Sequence, residues 1–182
     1  VNKYVVNFGL VLLFFAMSCF AEKQSSLRFA TAIIPPYQTL DKDDLPTGSA
    51  VHIVECVMTS LNQPYEIKIF PWVRAQKLVE KGEFDAFFIA SENNVRNQYA
   101  KLSAPLFDSS WIWFLSKTST LDPFSDEFIR NASVGGVFGT NMHSWLQKEF
   151  EYVVAKKEAD ELFELLAVAR LDVLLLTKPM FK

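Results

Sequence analysis

Cysteine and histidine are scarce in this 182-residue chain, at two residues each, and their scarcity removes whole classes of chemistry. There is no CxxC, no HExxH and no GxSxG, so the usual sequence marks of zinc sites, metalloproteases and serine hydrolases are missing. His52 and His143 stand apart from other metal-ligating residue types, so neither a metal nor a cofactor is expected. Of the cysteines, Cys19 falls in an amino-terminal apolar run. Once that run is removed Cys56 is alone and no intrachain disulfide can form. Cys56 lies on the apolar side of an expected helix and reads as a small core residue. Basic character is also low: 18 Lys and Arg against 21 Asp and Glu give a formal net charge of -3. Mild acidity argues against nucleic acid or anionic lipid as a partner, since both attract basic patches. No long apolar stretch follows residue 21, and no Gly/Ser-rich tether interrupts the chain.

The amino terminus has a different composition. Val1 to Ala21 reads VNKYVVNFGLVLLFFAMSCFA, with one cation, Lys3, then an apolar run closing on the small residues Cys19 and Ala21. That is the layout of a secretory signal. The run from Phe8 to Met17 is too short to cross a bilayer core of about 30 Å as a helix. The competing readings are an uncleaved anchor and a lipoprotein through Cys19, for which Ala16, Met17 and Ser18 form a poor lipobox. Cleavage is expected after Ala21, giving an exported, periplasmic chain. Losing Lys3 moves the formal net charge from -3 to -4.

Beyond the signal, strands and helices alternate. Leu27 to Ile34 reads as a strand ending at Pro35 and Pro36, and Leu45 to Ser49 as a turn. A helix over 49–61 places Val51, Val54, Met58 and Leu61 on one face. Tyr65 to Phe70 alternates as a strand. Pro71 opens a second helix and Gly82 closes it. Ala86 to Ala90 has the apolar continuity of a buried parallel strand. The second half repeats this grammar. Strands are expected over 111–115, 133–138, 152–155 and 172–176, and helices over 124–131, from Gly139 or Thr140 to about 150, and over 159–169. Such alternation implies parallel sheets covered by helices. The passage between halves falls near Leu106 to Ser119, where crossing strands are expected rather than a loose tether.

Three residue groups can carry chemistry. Ala86 to Ala90 delivers a polar segment from Ser91 to Arg96 at a strand's carboxyl end, where open parallel sheets bind ligands. An arginine there can hold a carboxylate through two charge-assisted hydrogen bonds, although taken alone it reads more readily as a solvated surface residue. Val137-Phe-Gly-Thr-Asn141 joins a strand to a helix start, whose N–H groups and dipole favour an anion; the plain alternative is an ordinary Thr or Asn cap. The third group is aromatic: Tyr37, Trp72, Trp111 and Trp113 offer flat apolar walls or core.

Several runs occur in a telling order: Pro35-Pro36-Tyr37, Pro71-Trp72-Val-Arg74-Ala75, Gly82-Glu-Phe-Asp85-Ala86, Arg96-Asn-Gln-Tyr99, Ser103-Ala-Pro105-Leu106, Val134-Gly-Gly-Val-Phe-Gly139-Thr140 and Ala169-Arg170-Leu171-Asp172. Together they resemble family 3 of the bacterial extracellular solute-binding proteins, the polar amino acid receptors of ABC transporters. The resemblance runs from about Leu27 to Pro179. It implies an α/β, two-lobed, Venus-flytrap fold of type II, with lobe 1 over 22–110 and lobe 2 over 111–182. It also implies a monomer that binds a small carboxylated solute and hands it to an ABC transporter permease. Carried over, Arg96 would hold the ligand carboxylate from lobe 1, with the backbone near Ala90 and Ser91 beside it. Thr140 would bind from lobe 2, and Tyr37 and Trp72 would wall the pocket.

Two departures qualify what the resemblance implies. Amino-acid-binding members place an acidic residue after the late strand to pair the ammonium, where this chain has Thr177 and then Lys178. Members also continue past this point to complete the first lobe, so an incomplete first lobe is expected here. Two other readings fit the same fold. One is a periplasmic dehydratase, with Glu92 and Asp108 as acid or base. The other is a sensor, interaction or degenerate module.

Overall fold

The computed structural model describes residues 24–117 and 119–178. The expected signal segment 1–21, with Lys3, Cys19 and Ala21, lies outside the described residues, as do residues 179–182.

In the first half, strand β1 (Leu27–Thr31) is followed by a two-stranded ribbon of β2 (Thr39–Leu40) and β3 (Pro46–Thr47). Helix α1 (Ser49–Ser60), β4 (Tyr65–Ile69), α2 (Trp72–Glu80) and β5 (Ala86–Phe87) complete it. The sheet order is β4-β1-β5 and both pairings are parallel, with Leu27 opposite Tyr65 and Phe29 opposite Ala86. The second half contains β6 (Trp111–Leu115), α3 (Asp126–Asn131), β7 (Ser133–Val137), α4 (Asn141–Glu149), β8 (Tyr152–Lys156), α5 (Ala159–Ala167) and β9 (Val173–Thr177). Its order is β6-β9-β7-β8, and only β6 runs antiparallel to its neighbour. Each half thus puts its first parallel strand, β1 or β7, between the next two. The chain must cross over that central strand, which is the arrangement that opens a crevice at the strands' carboxyl ends.

Alternation along the central strands builds a core on each face. Phe29 packs with Ala50, Val51, Val54 and Met58 of α1, while Ala30 on the opposite face packs with Trp72 and Ala75 of α2. In the second half Val173 and Leu175 join Met142 and Leu146 of α4, whereas Leu174 and Leu176 join Leu162 and Leu166 of α5. Burying each such Val, Leu or Met side chain stabilises the fold by about 1.5–3 kcal/mol. The α4 and α5 helices approach β7 closely because Gly135 and Gly136 lack side chains. A Cβ on Gly135 would stand 2.7 Å from Leu174, and one on Gly136 would stand 2.8 Å from Leu146. The four buried clusters do not mix the halves: two draw on residues before Ser110 and two on residues after it.

Several expectations shift. Cys56 is exposed rather than in the core. It lies two residues from both Val54 and Met58, and at about 100° per residue that turns it to the solvent side of α1. Leu61 caps that helix and is 64% exposed, so the buried face is Ala50, Val51, Val54 and Met58. The strand expected over 86–90 pairs only at Ala86 and Phe87, because Ile89 takes a φ of 59° and turns the chain out of the sheet. The helix expected from Phe124 starts at Asp126, where the Ser125 hydroxyl accepts from Phe128 N at 3.1 Å. The chain leaves the first half at Ser110 and ends its second sheet beside it: Trp111 pairs with Thr177, and Lys178 N donates to Ser110 O at 2.7 Å.

Candidate functional site

Arg96 opens a short 3-10 turn, Arg96–Gln98, and is only 4% exposed. Its own segment positions it. Asn93 Oδ1 accepts from Arg96 N at 2.7 Å, and Arg96 Nη1 donates to Ser91 O. The rest of the fork meets Gln76 of α2, whose Oε1 accepts from Nε at 3.3 Å and from Nη2 at 3.0 Å. The guanidinium also lies 5.6 Å from the Trp72 ring and 5.9 Å from that of Phe87, both favourable cation–π placements. Burial lowers its proton affinity, and the neighbouring Tyr99 offsets part of this; a guanidinium nevertheless stays charged. Among the described residues no carboxylate stands within ion-pairing distance of it. A buried cation held only by neutral acceptors is costly and gains from any anion that reaches it.

The first turn of α2 carries this site to the second half. Trp72 is 8% exposed and packs edge-on to Phe87 at 5.6 Å. Its Nε1 donates to Gly139 O at 3.1 Å, and Gln76 Nε2 donates to the same oxygen at 3.3 Å. Gly139 follows β7 with a φ of 78°, and a Cβ there would lie 2.5 Å from Val73 Cγ2. Only glycine permits both that backbone turn and that approach. The carboxyl ends of β4 and β7 therefore meet here.

Next to Gly139, Thr140 is the N-cap of α4. Its Oγ1 accepts from His143 N at 3.2 Å and donates to Val137 O at 2.7 Å. Asn141, the first residue of that helix, reaches back across the junction. Its Nδ2 donates to Ser91 Oγ and to Glu92 O, both at 2.9 Å, and its Oδ1 accepts from Asn93 Nδ2 at 2.7 Å.

The structure therefore brings Arg96, Ser91 and Trp72 together, with Ala90 packed on the Trp72 cluster and Thr140 one residue from the Asn141 contacts. Tyr37 is placed elsewhere. It belongs to the α1 face of the first core, lies 5.4 Å from the Phe107 ring, and donates from its hydroxyl to Lys178 O at 2.9 Å. Trp111 and Trp113 form an aromatic group with Trp145 on the second sheet. Glu92 accepts from Asn97 at 2.8 Å, and both it and Asp108 are exposed. Thr177, at the end of β9, contacts Met142 Sδ at 3.8 Å.

Sequence reasoning missed Gln76 and undervalued Asn141. The available signals were spacing and position: Gln76 is one helical turn after Trp72, and Asn141 follows a cap. Either reads as an amide that simply faces water when its partner lies 48 to 63 residues away.

No protein-family model and no curated protein matches this sequence. Solved structures do. The holo arginine-binding protein from T. maritima superposes with a TM-score of 0.72 at 19% identity, over 84% of this chain and 68% of that one. An ancestral amino acid-binding protein, a precursor of cyclohexadienyl dehydratase, gives 0.74 at 17% identity, over 86% and 72%. A histidine kinase sensor domain with similarity to periplasmic binding proteins gives 0.77 at 17%, over 85% and 69%. The fold is thus the two-lobed one of periplasmic binding proteins.

Proposed function

We propose that this chain is an exported solute-binding protein whose two lobes, 22–110 and 111–182, hold a small carboxylated solute between them for delivery to an importer of the ABC type. One observation carries the reading: Arg96 is buried without a carboxylate partner among the described residues, at the junction where the carboxyl ends of the two sheets meet. A carboxylate there would take donors from the guanidinium fork and could approach the first N–H groups of α4, which an α-helix leaves without intrahelical partners. Trp72 supplies a flat wall, Ser91 and the backbone near Ala90 supply polar contacts, and Thr140 fixes the helix start.

The solute class follows from Thr177. By the family resemblance Thr177 would stand where amino-acid-binding members carry the carboxylate that pairs the ammonium; its hydroxyl lies against the Met142 thioether, so an ammonium placed there would be desolvated without compensation. The favoured solute is a carboxylate without an obligatory α-ammonium.

The test is calorimetric titration of the mature chain against amino acids, their deaminated carboxylates and the matching uncharged amides. The reading expects carboxylates to bind and amides of the same shape not to bind. Equal binding of both, or turnover of any of them, would refute it.

A further inference from the structure

We propose that Asn141 is a clasp residue that holds the two halves of the chain against each other and, through the segment 91–93, positions Arg96. Three contacts carry this. The Asn141 amide uses both of its ends, donating to Ser91 Oγ and Glu92 O and accepting from Asn93 Nδ2. Those three residues are consecutive, and two of them hold Arg96: Ser91 O takes its Nη1 and Asn93 Oδ1 takes its backbone N–H. One amide from the start of α4 therefore fixes the loop that aims the guanidinium. No other side chain of the second half makes as many hydrogen bonds to the first among the described residues. The side-chain hydrogen bonds that run from the first half to the second include those of Trp72 and Gln76 to Gly139 O and that of the Tyr37 hydroxyl to Lys178 O.

Chemistry explains why an amide suits this position. An aspartate would keep the contact to Asn93 Nδ2 but would lose both donors and face the Glu92 carbonyl with a charge. A serine would be too short to span three residues. The amide's two ends match a loop that offers acceptor, acceptor and donor in sequence. The clasp uses only groups of this chain, so it stands whether or not Arg96 holds a carboxylate.

The experiment measures the separation of the halves with no solute added. In a full-length Cys19→Ser background, nitroxides are placed at Cys56, which is exposed on α1, and at an introduced Glu149→Cys on the exposed end of α4. Double electron–electron resonance then compares Asn141 with Asn141→Ala and Asn141→Asp. Both variants are expected to add a longer-distance population: the ratio of near to far states should fall about tenfold or more in Asn141→Ala, which loses three net hydrogen bonds, and about fivefold or more in Asn141→Asp, which loses two. Asn141→Asp is decisive because an acidic residue favours a helix start; helix loss cannot then account for the opening. A wild-type distance distribution in Asn141→Asp, with its helical circular dichroism retained, overturns the proposal. If both helix variants lose that signal, Ser91→Ala decides, since it lies outside α4: a longer-distance population supports the clasp and an unchanged distribution overturns it. The outcome is independent of the titrations, so failure of the clasp and failure of the solute reading are separately visible.

Discussion

Gln76 links Arg96 to Gly139 by using both ends of one amide: its Oε1 accepts from the guanidinium at 3.0 Å and its Nε2 donates to the carbonyl at 3.3 Å. An amide satisfies the hydrogen bonds of Arg96 while leaving its charge uncompensated. The same side chain thereby preserves the attraction for an anion and ties that site to the second half.

Gln76→Glu should therefore silence the site. A carboxylate at this position would neutralise Arg96 from within the protein and repel an incoming anion. We expect at least a tenfold loss of carboxylate affinity by titration calorimetry, with the melting temperature unchanged or raised. An unaltered affinity would mean that the solute does not reach Arg96.

Arg96→Ala should cost about 2–5 kcal/mol of solute binding, the range for removing one partner of a desolvated charge contact. Arg96→Lys should restore little, because a point charge cannot reproduce a fork whose donors are divided between Gln76 and Ser91. Recovery of wild-type affinity by lysine would show that charge alone matters.

For Thr140 the expected loss is mainly of stability. Its hydroxyl is engaged on both sides, with His143 N and Val137 O, so Thr140→Val removes a helix cap worth about 1 kcal/mol. Thr140→Ser should keep it. Chemical denaturation of the two variants measures the difference; if valine leaves stability unchanged while abolishing binding, the hydroxyl contacts the solute directly.

The buried His143 makes the second half acid-sensitive. Burial lowers its proton affinity, so the folded chain favours the neutral ring. Near pH 8 both states are neutral and the residue contributes nothing to the pH dependence. As pH falls through about 6.5 the unfolded chain takes up a proton that the folded chain resists, and stability drops until the lower folded value is passed. His143→Phe should flatten the slope of stability against pH between about 7 and 5. An unchanged slope would show that the ring is protonated without penalty.

Much of the architecture was legible because it rests on periodicity. Asp172 to Leu176 reads as a buried strand, and β9 indeed divides its alternate leucines between two cores. The ribbon of Thr39–Leu40 and Pro46–Thr47 was not legible, since strands of two residues have no period to detect. Cys56 was misplaced because an apolar residue near a helical stripe can sit just off it. At the site, Arg96 and Trp72 were legible because their residue types announce a role. Gln76 and Asn141 were not: amides are common on helix surfaces, and only the folded chain shows that each contacts a segment distant in sequence.

The register of Trp111 with Thr177 has a further meaning. The stretch between these residues departs from and returns to one spot, and its two buried clusters draw only on its own side chains. It is built like a cassette, entered at Ser110 and closed beside the same residue at Lys178. Such a unit can be excised and expressed alone, or exchanged for another, with a closure cost that changes only slowly with the length of the replacement. Circular dichroism of residues 110–178 in isolation should show a cooperative thermal transition; its absence would mean that the two halves fold only together.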